Sequence, residues 1–147
     1  MRLLLVLVAV SLVAGCATRA PLAPDASFDA TVERHLAAIA GRDLDGLLAT
    51  VTASDDLRVI FPDGSTLTSP AAYRAMHVEW FADPAWTMTF ERIATVQRGD
   101  TGTALVRWTM TDDTPRSGRQ AWLALTFRRE AGGWRLVLDQ NTAIATD

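Results

Sequence analysis

The chain has 147 residues, of which 49% are apolar and 21% are charged, and this balance predicts one folded domain and excludes intrinsic disorder. Its 14 basic residues are outnumbered by 17 acidic residues, which gives a net charge of −3. A net negative chain is a poor match to a phosphate backbone, so nucleic acid is not an expected partner. Cys16 is the only cysteine in the sequence, which excludes an intramolecular disulfide.

The first 15 residues have the pattern of a secretion signal, because Arg2 precedes an apolar run over residues 3–13. This run is too short to cross a hydrocarbon layer of ~30 Å as a helix. Residues 13–16, Val-Ala-Gly-Cys, resemble the lipobox of bacterial lipoproteins, in which the cysteine is acylated and becomes the new N-terminus. The resemblance implies a lipid anchor on Cys16 and, because Ala17 follows, a place at the outer membrane facing the periplasm. The alternative is an ordinary signal peptide followed by a chance cysteine.

Three helices are predicted in the first half of the chain. The first begins near Asp25 or Ser27, ends at Gly41, and has apolar residues spaced three and four apart at Phe28, Val32, Leu36 and Ile39. Asp43 is expected to cap a second, short helix. Ser69 and Pro70 open a third helix that extends through Phe81. Its inner stripe contains Tyr73, Met76, His77, Trp80 and Phe81.

The remaining segments alternate between apolar and polar residues and predict strands. A short strand at residues 57–61 is followed by a turn at 62–64 and a brief partner near Thr66. Four more strands are predicted around residues 86–90, 104–110, 121–127 and 134–140, joined by short turns and a longer loop at 112–118. The order predicts an α+β fold with three N-terminal helices packed on a curved, mostly antiparallel sheet. We divide the chain into a signal peptide at 1–15, a lipidated tether at 16–26 and a domain at 27–147.

Several segments are similar to the nuclear transport factor 2-like superfamily, which includes SnoaL-like proteins and ketosteroid isomerases. These segments are Gly-Arg-Asp-Leu-Asp at 41–45, Phe-Pro-Asp-Gly at 61–64, the Ser69-Pro70 helix start, and the closing run Gly-Trp-Arg-Leu-Val-Leu-Asp-Gln-Asn at 133–141. The resemblance covers nearly all of residues 27–144. It implies a cone-shaped α+β barrel in which the sheet wraps a long helix and leaves a pocket at the open end. It implies a fold more strongly than a function, because superfamily members have many different activities.

The resemblance also shows what this chain lacks. Ketosteroid isomerases use a carboxylate base, a protonated acid and a tyrosine. Carried over by position, the base falls on Phe61, the acid on Leu125 and the tyrosine on His35. Two of the three groups are therefore hydrocarbon, and steroid isomerase activity by that mechanism is not expected.

His77 is the main candidate for chemistry, because it shares a helical stripe with Tyr73 and Trp80 and its imidazole can act as an acid or base. The alternative is a structural histidine bonded to a backbone carbonyl. By alternation from Trp134, Gln140 is predicted to point inward and Asp139 outward, unless a bulge changes the alternation. The expected pocket residues are His35, Phe61, Tyr73, His77, Trp80, Trp86, Trp108, Leu125 and Gln140. No cofactor or metal ion is expected, since the ligand spacings for a metal are missing.

The outer sheet face offers a possible partner surface. Arg107, Thr109 and Trp122 are predicted on this face, where an apolar patch would suit a homodimer of the kind that is usual in the superfamily. The leading interpretation is a lipid-anchored periplasmic domain that binds a small, mostly apolar molecule in its conical pocket. The alternatives are a non-catalytic interaction module with a filled pocket, and a small isomerase or hydrolyase that uses His77.

Overall fold

The computed structural model describes residues 26–114 and 117–144, and the predicted signal peptide and all but the last residue of the tether lie outside these ranges. The three predicted helices are present as α1 (Phe28–Ala40), α2 (Leu44–Leu48) and α3 (Pro70–Ala82). The strands are β1 (Arg58–Ile60), β2 (Thr66–Leu67), β3 (Thr87–Arg98), β4 (Thr101–Thr111), β5 (Arg119–Glu130) and β6 (Gly133–Ala143). Within the described ranges, no helix is long and apolar enough to cross a membrane.

The helix boundaries follow from side-chain caps that the sequence predicted. Ser27 accepts a hydrogen bond from the Ala30 amide at 3.2 Å, and Ser69 accepts one from the Ala72 amide at the same distance. Asp43 accepts from the Gly46 amide at 2.9 Å. Helix α1 ends at Ala40 with Gly41 as its C-cap, as predicted, and the residue with a left-handed backbone is Arg42 (φ 52°), which follows it. A non-glycine residue in this region is uncommon and needs support from its surroundings.

The six strands form one curved sheet in the order β2-β1-β6-β5-β4-β3, which stays open and confirms the predicted α+β architecture. All neighbouring pairs are antiparallel except β1 and β6, which run parallel. The helices cover the inner face, where the core includes Phe28, Val32, Leu36, Leu125 and Phe127. The packing is close enough that a side chain on Gly102 would meet the Phe28 ring at 2.8 Å.

A β-bulge in β6 determines which residues of this strand face inward. Phe127 pairs with Leu136, whereas the preceding residue of β5, Thr126, pairs with Leu138, so Val137 is an extra residue. The alternation therefore shifts by one position after Val137. As a result, Asp139 is buried and Gln140 is exposed, which is the reverse of the predicted orientation.

Candidate functional site

A cavity of about 660 Å³ lies between α3 and the inner face of the sheet. Strands β1, β3, β4, β5 and β6 contribute to its wall. Most of its lining is apolar, with Ile39, Val59, Phe61, Met76, Trp80, Met88, Phe90, Trp108, Met110 and Leu123. The volume lies within the range of ~300–1,000 Å³ that is usual for small-molecule sites. Its polar lining consists of His77, Glu79, Asp83, Arg119, Asp139 and Asn141.

The polar lining residues form two groups, an exposed group at the mouth of the cavity and a buried group at its deep end. Glu79, Asp83 and Arg119 are exposed and lie at the mouth. His77 and Asp139 are the deep pair, since they are only 3% and 8% exposed. The cavity is therefore an apolar chamber that is charged at its entrance and has a small polar group at its inner end.

A relay of hydrogen bonds fixes Asp139 at the deep end. The Trp108 indole N–H donates to Oδ1 of Asn141 at 3.0 Å, and Nδ2 of Asn141 donates to Oδ1 of Asp139 at 2.8 Å. Because an indole can only donate, it determines which way the Asn141 amide is turned. Burial raises the pKa of Asp139 to about 7, and the hydrogen bond from Asn141 opposes that rise. At neutral pH this carboxyl group can therefore either donate or accept a proton.

His77 is held as a neutral imidazole. Its Nδ1 lies 2.9 Å from the backbone oxygen of Tyr73, and because a carbonyl only accepts, Nδ1 carries the proton. Burial lowers the pKa of His77 to about 4, while the bond to the Tyr73 carbonyl opposes the change. Its ring also contacts Tyr73, with the two ring centres 4.1 Å apart. His77 is thus bonded to a backbone carbonyl and also lines the cavity, and a role in chemistry stays a prediction.

The structure brings together four of the nine predicted pocket residues, Phe61, His77, Trp80 and Trp108. Gln140 does not line the cavity, and its predicted inward position is wrong because the bulge at Val137 turns it to the outer face. Instead, Gln140 lies beside Ala124 on that face. Asp139, which strict alternation predicted to face outward, lines the cavity where Gln140 was expected.

The other four predicted pocket residues lie in a layer behind the lining. Trp86 stacks on Trp80 with ring centres 4.5 Å apart, and Tyr73 is fully buried beneath His77. Leu125 is fully buried on β5, directly across from Asp139. These residues support the cavity wall but do not line the cavity.

His35 also belongs to this buried layer. Its Nδ1 lies 2.7 Å from Oγ1 of Thr50, which uses its own hydrogen to bond the Leu47 carbonyl, so His35 is the donor. Burial, with a smaller contribution from His77, lowers the pKa of His35 to about 3. The Nε2 atom of His35 and the hydroxyl of Tyr73 are buried without a hydrogen-bond partner among the described residues. Burial, followed by the proximity of Asp139, raises the pKa of Tyr73.

Two residues that support the site were not predicted from the sequence. Asn141 orients Asp139, and the only sequence signal was its place in the polar run 139–141. Arg42 binds the connection between α3 and β3, because its guanidinium donates to the backbone oxygens of Asp83 and Trp86 and lies 4.1 Å above the Trp86 ring. These contacts explain how an arginine is kept at a left-handed backbone position. No spacing pattern in the sequence indicates this clamp.

Within residues 26–114 and 117–144, no group of three or more His, Cys, Asp or Glu side chains could hold a metal ion. The arrangement offers hydrogen bonding and proton transfer by Asp139 and His77, inside an otherwise apolar chamber.

Comparisons with known proteins agree with the fold. The sequence profile described as the SnoaL-like domain matches residues 32–137. No curated protein sequence matches the chain. One similar solved structure is a domain from Thiobacillus denitrificans, provisionally assigned as a calcium/calmodulin-dependent protein kinase type II association domain. It has a TM-score of 0.70 and 23% identity over 81% of this chain and 96% of its own.

Two further solved structures have the same fold. An NTF2-like protein with a cystatin-like fold from Novosphingobium aromaticivorans has a TM-score of 0.64 and 22% identity, over 80% of this chain and 79% of its own. A ketosteroid isomerase-like protein from Erwinia carotovora atroseptica has a TM-score of 0.62 and 19% identity, over 80% and 94%. At these identities the similarity concerns the fold alone.

Proposed function

This chain belongs to the family of SnoaL-like domains, and from its cavity we propose that it binds a small, mostly apolar molecule there. The observation that carries the proposal is an open chamber of about 660 Å³ with an apolar wall and two buried polar side chains at its inner end. Small-molecule sites combine these two properties, since the apolar wall supplies affinity and a few polar groups supply orientation. A domain that served only to pack against another protein would have no need of such a chamber.

The lining combines side chains that can adapt to the shape of a ligand with side chains that are held in place. Met76, Met88 and Met110 contribute flexible thioether side chains to the wall. Trp80 and Trp108 contribute flat indole surfaces, and each is fixed by a neighbour, Trp80 by stacking on Trp86 and Trp108 by its bond to Asn141. Fixed aromatic surfaces beside adaptable methionines favour ligands with a rigid apolar body.

A proton-transfer activity on the bound molecule is the second candidate function. It is favoured by the pKa of Asp139, which lies near 7, where a general acid or base is most effective. His77 is the weaker base of the two, because its pKa is near 4. If the domain catalyses such a reaction, Asp139→Asn abolishes turnover and leaves ligand binding in place.

Binding in the cavity can be tested with a matched pair of variants on α3. Met76 lines the cavity, whereas Val78, two residues later, is 47% exposed on the same helix. Met76→Trp should fill part of the chamber and weaken binding of the neutral apolar dye Nile red by at least about tenfold, the equivalent of ~1.4 kcal/mol. Val78→Trp should leave the affinity unchanged. Equal affinities in wild type and Met76→Trp would contradict binding in this cavity.

We further propose that the protein is held at the membrane by lipid on Cys16 and forms a homodimer through its outer sheet face. The anchor is supported by the lipobox pattern of residues 13–16. The dimer is supported by apolar exposure on β3 and β4, where Val96 is 58% and Leu105 is 36% exposed. Trp122 lies on the same face, paired with Arg107. Exposed apolar groups gathered on one face are typical of contact surfaces.

A further inference from the structure

Helix α1 and the edge strand β3 enclose a second recess beside the cavity. Among the described residues β3 pairs only with β4, so its other edge is free and no strand covers the space between this edge and α1. The recess has a volume of about 370 Å³. We call it the lateral groove, and its lining includes Leu36, Ala37 and Ala40 of α1 and Met88, Phe90 and Arg92 of β3.

The lateral groove and the cavity share part of their lining. Met88 and Phe90 line both spaces, and because they are two residues apart on β3 their side chains point to the same face of the sheet. On the facing helix, Ile39 lines the cavity, whereas its neighbour Ala40 lines the groove. Side chains that β3 contributes therefore stand between the two spaces.

This shared wall can open without a change in the backbone. Met88 has an unbranched, flexible thioether side chain, and a change of rotamer moves the end of that side chain while β3 stays in place. Phe90 is only partly buried. Across the groove, Ala37 and Ala40 carry methyl groups alone, which leaves room for a chain of methylenes. The lateral groove can thus serve as a side opening of the cavity.

Ion pairs join α1 to β3 at the rim of the lateral groove. Nη1 of Arg92 lies 2.9 Å from Oδ1 of Asp29 and 3.4 Å from Oε1 of Glu33. All three side chains are well exposed, so they lie at the surface and leave the groove unfilled. Because the guanidinium already has two carboxylate partners, it is a poor site for an anionic ligand group. The groove therefore offers apolar contact and not a charge.

We propose that the lateral groove binds an unbranched apolar chain of the ligand, whose larger apolar body occupies the cavity. The chain passes the side chain of Met88 and leaves the cavity at the free edge of the sheet. Its methylenes gain affinity by burial against α1 and β3. The proposal rests on the proposed function, because body and chain belong to one molecule. It makes the ligand class an elongated one, an apolar body with an alkyl or acyl tail.

Two neutral fluorophores that differ only in chain length test this proposal. Prodan and Laurdan have the same naphthalene body, which carries a propionyl chain in Prodan and a lauroyl chain in Laurdan. The emission of both shifts when they leave water, so titrations of the purified full chain in detergent-free buffer measure both affinities. Since each buried methylene adds affinity, we expect wild type to bind Laurdan at least about tenfold more tightly than Prodan.

A matched pair of variants on α1 assigns the chain to the lateral groove. Ala40 and Ala30 are both exposed, but Ala40 lines the groove and Ala30 lines neither space. Ala40→Trp should fill part of the groove and weaken Laurdan binding by at least about tenfold, while Prodan binding changes by less than about twofold. Ala30→Trp should change neither affinity. Thermal melts show whether the variants are folded, and Ala37→Leu replaces Ala40→Trp if that variant is not.

The possible failures can be told apart. If wild type binds neither probe, or if Met76→Trp weakens neither, the proposed function fails and the lateral site with it. If Met76→Trp weakens both probes but Ala40→Trp leaves Laurdan binding unchanged, the chain coils inside the cavity and the lateral site alone is overturned. Equal affinities of wild type for the two probes would also overturn it, and so would an equal loss of both probes in Ala40→Trp.

Discussion

Replacing Asp139 with asparagine should stabilise the protein at neutral pH. The gain in unfolding free energy over wild type should increase as the pH rises. The reason is the buried position of this carboxyl group, whose pKa is raised from 3.8 to about 7. Between these two values the unfolded chain has lost the Asp139 proton and the folded chain has kept it. Stability therefore falls as the pH rises through this window and stays low above the folded pKa.

The size of the effect follows from the difference between the two pKa values. A shift of about three units, at ~1.4 kcal/mol for each unit, corresponds to roughly 4 kcal/mol of unfolding free energy above pH 7. Asparagine has nearly the same shape, can still accept the hydrogen bond from Asn141, and never ionises. The variant should therefore escape this loss, and its advantage over wild type should grow by roughly 4 kcal/mol from pH 3.8 to pH 8.

Urea unfolding at a series of pH values, followed by tryptophan fluorescence, measures this difference. His35 and His77 also change the slope of stability with pH, because their lowered pKa values make stability fall as the pH drops below 6.5. Both histidines are present in the variant, so their effect cancels in the comparison with wild type. Exposed Asp56 is the control: Arg128 lowers its pKa, so Asp56→Asn should change stability in the opposite direction and only slightly. A constant difference between Asp139→Asn and wild type across the series would refute the reasoning.

The two proposals on assembly and anchoring predict further outcomes. Trp122→Arg places a charge in the middle of the outer sheet face and should convert a dimer to a folded monomer in sedimentation experiments; a wild-type domain that is already monomeric at tens of micromolar would exclude the dimer. Cys16→Ser should release the protein from the membrane fraction or leave its N-terminus unprocessed, as seen by mass spectrometry. An unmodified N-terminus elsewhere in the wild-type protein would argue against the lipid anchor.

The sequence was informative about the fold because local signals and hydrophobic periodicity pointed the same way. The caps at Ser27, Asp43 and Ser69 start their helices as expected, and each cap side chain accepts a hydrogen bond from the backbone amide three residues later. The alternation that predicted strands around residues 104–110 and 121–127 is present in β4 and β5, where Val106, Leu123 and Leu125 are buried on the inner face. Such signals are short in range, so they can be detected without knowledge of the tertiary structure.

The site was harder to predict because one inserted residue changed its composition. Alternation counted from Trp134 is correct as far as Leu136, and the extra residue Val137 then moves Asp139 inward and Gln140 outward. Since Val137 and Leu138 are both apolar, the sequence contains no mark of the shift. The bulge results from the pairing of β6 with β5 across the sheet, which is information that a single strand does not carry.

A second limit concerns depth within the core. Trp80 and Trp86 were both expected at the pocket, and only Trp80 lines it, because Trp86 stacks behind it and donates its indole N–H to the Trp80 carbonyl at 3.0 Å. Periodicity tells which side of an element faces the core but not how many side chains lie between that side and a cavity. The same ambiguity affected Tyr73, which lies beneath His77 on one helical face.

The position of Asp139 changes what the family resemblance can imply about chemistry. The resemblance places the acid of ketosteroid isomerases at Leu125 on β5, and in this chain Asp139 lies directly across from Leu125 on β6. A buried acid is therefore present, but one strand closer to β1, where Val59 is its neighbour. The position of the isomerase base, just after β1, is the hydrocarbon Phe61, so the carboxylate base of the isomerases has no counterpart at that position. At the buried positions of the cavity wall, Asp139 and His77 are the described side chains that could exchange a proton with a bound molecule.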